Sequence, residues 1–228
     1  LDRLAQGYQR LTQFSADLAH EIRTPVGSLM GHCQVALRQR RSEDEYQALI
    51  ASNLEELERI SRIVESILFL ARADEAQAVV ERQQLSLHDE SQRIAEYFEG
   101  LAEERRMSFQ ITGDGIVLAD PLLLRRALSN LVANAVRYAY EGTEILIRVL
   151  ETHGGARIEV ENQGPVLGDE TLGKLFDRFY RGDASRHQNS DSYGLGLAIV
   201  VAIMQLHGGH VGVEQPRAGT IRFSLSFP

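Results

Sequence analysis

The chain has one cysteine, Cys33, among 228 residues. That excludes a disulfide framework and a cysteine-built zinc site within one chain, and it fits a reducing compartment. Cys33 lies on an apolar helical stripe, so packing is its expected role. No apolar run reaches the roughly 18 residues that a membrane span needs, and no signal peptide is visible. The chain opens on Leu1 rather than Met, from which a fragment or processed product is expected. Positive charge is also short. Lys and Arg number 24 against 32 Asp and Glu, giving a net charge of −8. By charge, the chain as a whole is not a nucleic-acid binder. No internal repeat or low-complexity segment is present. The remaining composition, 43% hydrophobic and 25% charged, is ordinary for a soluble globular protein.

Residues 1–72 read as two long helices. Leu4, Tyr8, Leu11, Leu18, Ile22, Val26, Leu29, Cys33 and Leu37 recur at steps of three, four or seven. Ile50, Leu54, Leu57, Ile60, Val64, Ile67 and Leu68 continue the pattern in the second helix. Such steps put an apolar stripe on one helix face. The polar stretch QRRSEDEY, residues 39–46, separates the helices, with Ser42 as N-cap. A hairpin striped this way leaves apolar surface uncovered, so a homodimeric four-helix bundle is expected.

Residues 73–84, ADEAQAVVERQQ, lose the period and read as a linker. Residues 85–228 then interleave helices and strands. Asp120-Pro121 marks a helix start, with an N-cap followed by proline at the first helical position. EILIRVLET and ARIEVEN form a hairpin around Gly154-Gly155. The order predicts an α/β sandwich, a mixed sheet with helices on one face. The fold class is therefore a two-helix hairpin followed by that sandwich.

On the first helix His20 falls about 200° from Leu18 at 100° per residue, away from the stripe. Asp17 and Thr24 share its side, and Glu21 is its neighbour. A neutral imidazole with pKa about 6.5 is a good nucleophile at neutral pH. A carboxylate beside it can take the ring proton. Pro25 removes one backbone hydrogen bond, freeing a carbonyl near Glu21, and is expected to bend the helix there.

FSADLAHEIRTPVGSL resembles the phosphoacceptor box of sensor histidine kinases. The resemblance implies that His20 is autophosphorylated, that Glu21 acts as base, and that Thr24 aids dephosphorylation of the partner.

A second group of motifs follows. In LLLRRALSNLVANAVRYA, Asn130 and Asn134 stand one turn apart, followed by Arg137 and Tyr138. Carboxamide oxygens can ligate a hard cation, and arginine can pair with phosphate. VENQGPV places Asn162 and Gly164 after a strand. KLFDRFYRGDASR carries Phe176, Phe179 and Arg181, and the polar run 182–193 reads as a lid. YGLGLAIV sets Gly194, Leu195, Gly196 and Leu197 at a helix start, where glycines and a helix N-terminus favour phosphate. In LHGGHVGVE, His207 and His210 flank a glycine pair whose role is to end a helix, not to bind metal.

In this order the segments resemble the N box, first glycine box, F box, lid and GxG helix of the ATPase fold that histidine kinases share with gyrase and chaperone ATPases. The resemblance implies ATP and Mg²⁺ as cofactors. It implies Asn134 as the Mg²⁺ ligand with Asn130 a further candidate, and Arg181 at the γ-phosphate. Asn162 stands where the family has an Asp that accepts from the adenine amino group. An amide oxygen accepts that bond without charge. Val166 stands where a second glycine is usual, and Asp191 and Ser192 where glycines precede the GxG helix. The E-N-x-G variant and FDRFYR lean toward the heavy-metal sensor subgroup.

The expected function is thus that of a dimeric sensor histidine kinase core. It would autophosphorylate His20, pass the phosphoryl group to an aspartate of a response-regulator receiver domain, and dephosphorylate that regulator. The fragment would be cytoplasmic, attached to a bacterial inner membrane only through a sensor region absent from this chain. Two alternatives are a nucleotide-weak, phosphatase-dominant scaffold, motivated by the altered glycine boxes, and an ATPase of the gyrase or chaperone kind without phosphohistidine.

Overall fold

The computed structural model describes residues 2–39, 41–75, 79–182 and 193–228, with side chains of the first helix from residue 15 onward. By contact the chain falls into two units, 1–69 with 178–195, and 70–177 with 196–228. Residues 178–182 and 193–195 thus group with the helices. Within that first unit the guanidinium of Arg59 lies 5.2 Å from the ring centre of Tyr193.

The first unit is built on α1 (Asp2–Arg38) and α2 (Glu43–Asp74). Ser42 and Glu45 form a reciprocal cap at the start of α2. The Glu45 N–H donates to Ser42 Oγ at 3.3 Å, and the Ser42 N–H donates to Glu45 Oε2 at 2.8 Å. Two orphan donors are satisfied in this way. Across the hairpin, His32 Nδ1 meets Asn53 Oδ1 at 3.0 Å, and Asn53 Nδ2 reaches Cys33 Sγ at 3.7 Å. Cys33 itself is exposed. So is much of the apolar stripe. Val26, Met30, Leu37, Ile50, Leu54, Leu57, Val64 and Leu68 all remain exposed, Leu37 at 87% and Ile50 at 64%. α1 is one continuous helix through Pro25.

In the second unit, β1 (Gln83–Ser86) leads directly into α3 (Leu87–Glu104). β2 (Ser108–Thr112), β3 (Ile116–Ala119) and α4 (Pro121–Tyr138) follow. Next come β4 (Glu144–Thr152), β5 (Gly155–Gln163) and the short α5 (Asp169–Lys174). α6 (Gly196–Leu206), β6 (His210–Arg217) and β7 (Thr220–Ser226) close the chain. The main sheet has the order β2-β4-β5-β7-β6, parallel at β2–β4 and antiparallel elsewhere. β3 stands apart from it, paired with β1 in a two-stranded ribbon. Of the expected linker, 73–74 end α2, 83–84 begin β1, and 76–78 lie outside the described residues.

Alternation decides the core. Ile145, Ile147 and Val149 of β4, Ile158 and Val160 of β5, and Ile221, Phe223 and Leu225 of β7 are all buried. α3 packs on α4 and α4 on α6, and these helices also lie against the sheet. Each fully buried Leu or Ile stabilises by about 2 kcal/mol, so this face dominates the fold. The opposite face carries a charge ladder. Arg148 and Arg222 both bond the buried Glu161, at 2.6 and 2.9 Å. Burial alone would raise the Glu161 pKa, but the two guanidiniums outweigh it and hold it low.

No helix among the described residues is long and apolar enough to cross a membrane.

Candidate functional site

On α1 Leu18 and Ile22 are half-buried, while His20 is exposed, with Glu21 half-buried beside it. Thr24 is exposed, and its hydroxyl donates to the His20 carbonyl at 3.3 Å. Pro25 is buried and has no N–H for the Glu21 carbonyl,. The helix nevertheless continues to Arg38. The proline therefore deletes a hydrogen bond without ending the element.

In the second unit α4 carries the paired amides. Asp120 caps its start, accepting from Leu122 N–H at 2.9 Å and Leu123 N–H at 3.1 Å. Burial pushes the Asp120 pKa up, but bonds from the backbone of Leu123, Glu81 and Leu122 outweigh it and leave it lowered. One face of α4 is buried through Leu124, Leu128, Leu131 and Ala135. Asn130 and Asn134 lie beside that face, half-buried. Asn130 Nδ2 donates to the Arg126 carbonyl at 2.8 Å. Its Oδ1 is left facing the start of α6, where a Cβ on Gly196 would stand 2.7 Å away. The structure thus sets a carboxamide oxygen at a helix N-terminus, whose first N–H groups lack partners within the helix.

At the other end of α4, Arg105 donates to the carbonyls of Val136, Arg137 and Ala139, the last two at 2.8 and 3.0 Å. A cation there complements the helix dipole and fixes the helix end. Arg137 and Tyr138 are half-buried. Next to them β5 ends. Ala156, Ile158, Val160 and Asn162 share one face, so alternation puts a polar side chain at the end of an apolar row. Asn162 is 3% exposed, and its Nδ2 is buried without a hydrogen-bond partner. The turn after it is pinned by Tyr140 N–H to Gln163 O and Gly164 N–H to Gly219 O, both 2.9 Å. A Cβ on Gly164 would lie 2.9 Å from the Tyr138 carbonyl oxygen and 3.3 Å from Asn162 Nδ2. Gly164 therefore lets its backbone pack closely against those two groups. Leu197 follows Gly196 in α6 and is half-buried.

Phe176 belongs to the core of this unit, edge-on to Phe223 at 6.2 Å. Phe179, Arg181, Gly194 and Leu195 belong to the first unit. Phe179 has φ of 62°, a rare conformation for a bulky residue,. Its N–H donates to the Gly194 carbonyl at 2.8 Å, and Gly194 has φ of 65°. Leu195 is buried and Arg181 half-buried. Of the expected lid, residues 183–192 lie outside the described residues, Asp191 and Ser192 included.

Among the described residues, no group of three or more His, Cys, Asp or Glu could hold a metal ion. The polar atom beside the start of α6 is the Asn130 amide oxygen, a type of ligand that suits a hard cation. His207 is buried between backbone groups. Its Nε2 accepts from Asp120 N–H at 3.0 Å, and its Nδ1 donates to the Ile203 carbonyl at 2.8 Å. Sequence reading missed this pair, along with the Arg105 clamp and Glu90, whose carboxylate takes Arg125 at 2.6 and 3.0 Å.

Two family models match the chain in succession. The His Kinase A (phospho-acceptor) domain covers residues 10–76, and the Histidine kinase-, DNA gyrase B-, and HSP90-like ATPase covers 119–228. The sensor protein CzcS of Cupriavidus metallidurans is 43% identical over 100% of this chain and 48% of its own length. The sensor histidine kinase CusS of Escherichia coli K12 is likewise 43% identical over 100% of this chain and 48% of its own. The chain thus spans about half the length of the curated relatives it matches. Among solved structures, histidine kinase ThkA in complex with response regulator protein TrrA aligns with a TM-score of 0.75 at 25% identity. The alignment covers 98% of this chain and 63% of that one.

Proposed function

The chain belongs to the sensor histidine kinase family, and we propose that it is the phosphoryl-transferring core of such a kinase. The observation that carries this reading is the exposed His20 on α1, with a carboxylate beside it, in a chain that also bears the Asn130–Gly196 cradle. A His20 ring nitrogen attacks the γ-phosphorus of ATP. The bond to the β–γ bridging oxygen breaks, ADP leaves, and Glu21 takes the proton released from the ring. Arg181 offsets charge on the transferring group.

Asn134, with Asn130, would hold Mg²⁺ through carboxamide oxygens, and the ion would neutralise phosphate charge. Asn162 receives the purine. Arg137, Tyr138, Gly164, Phe179, Gly194, Leu195, Gly196 and Leu197 shape the rest of the site. The domains are 1–72 for dimerisation and phosphotransfer, 73–84 as hinge, and 85–228 for ATP.

The exposed stripe of Ile50, Leu54, Leu57, Val64 and Leu68 is covered by a second copy, in a four-helix bundle,. The phosphoryl group then passes to an aspartate of a receiver domain, and Thr24 supports its later removal. ThkA, whose structure aligns here, was solved with a response regulator. The chain works on the cytoplasmic side of a membrane whose anchor lies in another part of the protein. The E-N-x-G variant leans toward the heavy-metal sensor subgroup.

The test is transfer of label from γ-labelled ATP, with and without Mg²⁺, into the chain and on to a receiver domain. Label entering the chain and then the receiver supports the reading. ATP turnover without protein label would make it an ATPase. Dephosphorylation of a receiver without any labelling would make it a phosphatase scaffold.

A further inference from the structure

We propose that the outer edge of β2 is a docking site for an extended basic segment of a partner protein, which joins the sheet as an added strand beside α3. The inference rests on the fold of the second unit and does not depend on the nucleotide reading.

The main sheet ends in two edges, β2 and β6. An edge strand turns unpaired N–H and C=O groups outward and is a template for another chain, so proteins blunt it with charge, proline or a bulge. β6 is blunted in all three ways. It carries Glu214, Pro216 and Arg217, and its register with β7 shifts between Glu214 and Arg217. β2 has none of these devices. Its sequence is SFQIT, without charge or proline. Its five residues pair in unbroken register with β4 and with no other strand among the described residues.

A groove of about 340 Å³ lies between this strand and α3. Its apolar lining is Ala102, Met107, Phe109 and Ile111. Phe109 and Ile111 alternate along β2 and are only half-buried, so the apolar face of the strand is left partly uncovered. The other wall is acidic. Glu96, Glu99 and Glu103 line it from α3, all exposed, and no Lys or Arg lines the groove. Glu96 accepts from Gln92 Nε2 at 3.0 Å, and none of the three glutamates meets a cation among the described residues. The volume is at the low end of small-molecule sites, about 300–1,000 Å³, and the groove runs beside a free ladder. A helix flanking an open sheet edge is an arrangement that takes peptides by strand addition, with backbone bonds for affinity and pockets for alternate side chains.

Charge selects the occupant. Alternate residues of an added strand point to the α3 side. Lys or Arg at those positions lays its aliphatic stem over Phe109 and Ile111 and brings its charged head to the glutamates. The spacings agree. Glu96 to Glu103 covers about 10.5 Å of helix, and three alternate strand residues span about 13 Å, a difference that long side chains absorb. A second copy of this chain would bring no positive charge, because its own β2 has none and is flanked by the same glutamates.

The experiment is fluorescence anisotropy of a labelled peptide that alternates Val and Lys, titrated with the whole 228-residue chain. Three comparisons accompany it. One is a peptide alternating Val and Glu. The second is the Val-Lys peptide N-methylated at two adjacent central residues, which keeps the charge but removes a ladder donor on whichever side faces β2. The third is the double variant Glu99→Lys, Glu103→Lys, at two exposed positions where the fold survives. The expected result is saturable binding of the Val-Lys peptide and none of the Val-Glu peptide. N-methylation and the double variant should each weaken binding at least about tenfold. Amide exchange over Ser108–Thr112 should slow when the Val-Lys peptide is added. Equal binding of the N-methylated peptide overturns the proposal, since it shows charge attraction without an added strand. So does equal binding by the double variant, or exchange over Ser108–Thr112 that does not slow. Absence of saturable binding up to about 1 mM also overturns it. Slowed exchange over Ser108–Thr112 on concentrating the peptide-free chain would give the edge to a second copy and overturn it too.

Discussion

The carboxamide oxygen of Asn130 faces Gly196 so closely that a methyl group on residue 196 would stand 2.7 Å from it. The two residues are 66 positions apart, on α4 and at the first position of α6. The Asn130 amide cannot simply turn aside, because its Nδ2 is bonded to the Arg126 carbonyl at 2.8 Å. The contact therefore sets a carboxamide oxygen at the N-terminal end of a helix. Gly196→Ala should push the amide away while the fold survives. The expected effect is nucleotide binding weakened about tenfold to a hundredfold, equivalent to ~1.4–2.7 kcal/mol. Calorimetric titration with an ATP analogue measures it. Unchanged affinity would mean that the approach of these residues has no part in binding.

The Glu90–Arg125 pair ties α3 to α4 behind that site. The Glu90 carboxylate is 4% exposed and Arg125 is 39% exposed. Hydrogen bonds from Arg125 hold the Glu90 pKa below the usual range against the opposing effect of burial, helped by the charges of Arg125 and Arg93. A folded pKa below the unfolded one stabilises the fold above the unfolded value, about 4.3, and this stabilisation disappears as pH falls through the folded value. Arg125→Met should lower unfolding free energy by about 2–3 kcal/mol at pH 7. That is less than the 3–5 typical of a fully buried pair, because one partner is half in solvent. At pH 3 the deficit should shrink below about 1 kcal/mol. Urea denaturation at both pH values checks this, and an equal deficit at both would rule the ion pair out as the cause.

Thr24 makes one exposed bond, from its hydroxyl to the His20 carbonyl. Such a bond contributes no more than about 1 kcal/mol. Thr24→Ala should therefore leave the fold and the labelling of the chain by ATP nearly intact. It should slow dephosphorylation of a phosphorylated receiver by about tenfold or more. Parallel loss of both activities would assign Thr24 a purely structural role.

Much of this could be read along the chain because local chemistry set it. Ser42 with Glu45, and Asp120 with Pro121, fix helix starts through caps that lie within four residues. The row Ala156, Ile158, Val160, Asn162 announces its own polar end by alternation. What escaped depends on residues distant in sequence. Asp120 meets His207, and Arg105 meets the end of α4, across 87 and 31 or more positions. No periodicity encodes such pairs. α5 has no buried side chain, so it carried no apolar signal. β3 left the main sheet because its partner is β1, and strand propensity does not name partners. α1 is helical from Asp2 to Arg38 through Pro25, so the proline removes one backbone hydrogen bond without ending the helix.

The central claim is that a ring nitrogen of His20 becomes the phosphoryl carrier. The most direct measurement is incubation with γ-labelled ATP and Mg²⁺, comparing the parent chain with His20→Ala and mapping the labelled peptide. The account predicts label that is stable to base and lost in acid, located on the peptide containing His20, and absent from the variant. Equal labelling of His20→Ala, or acid-stable label on another residue, would contradict it.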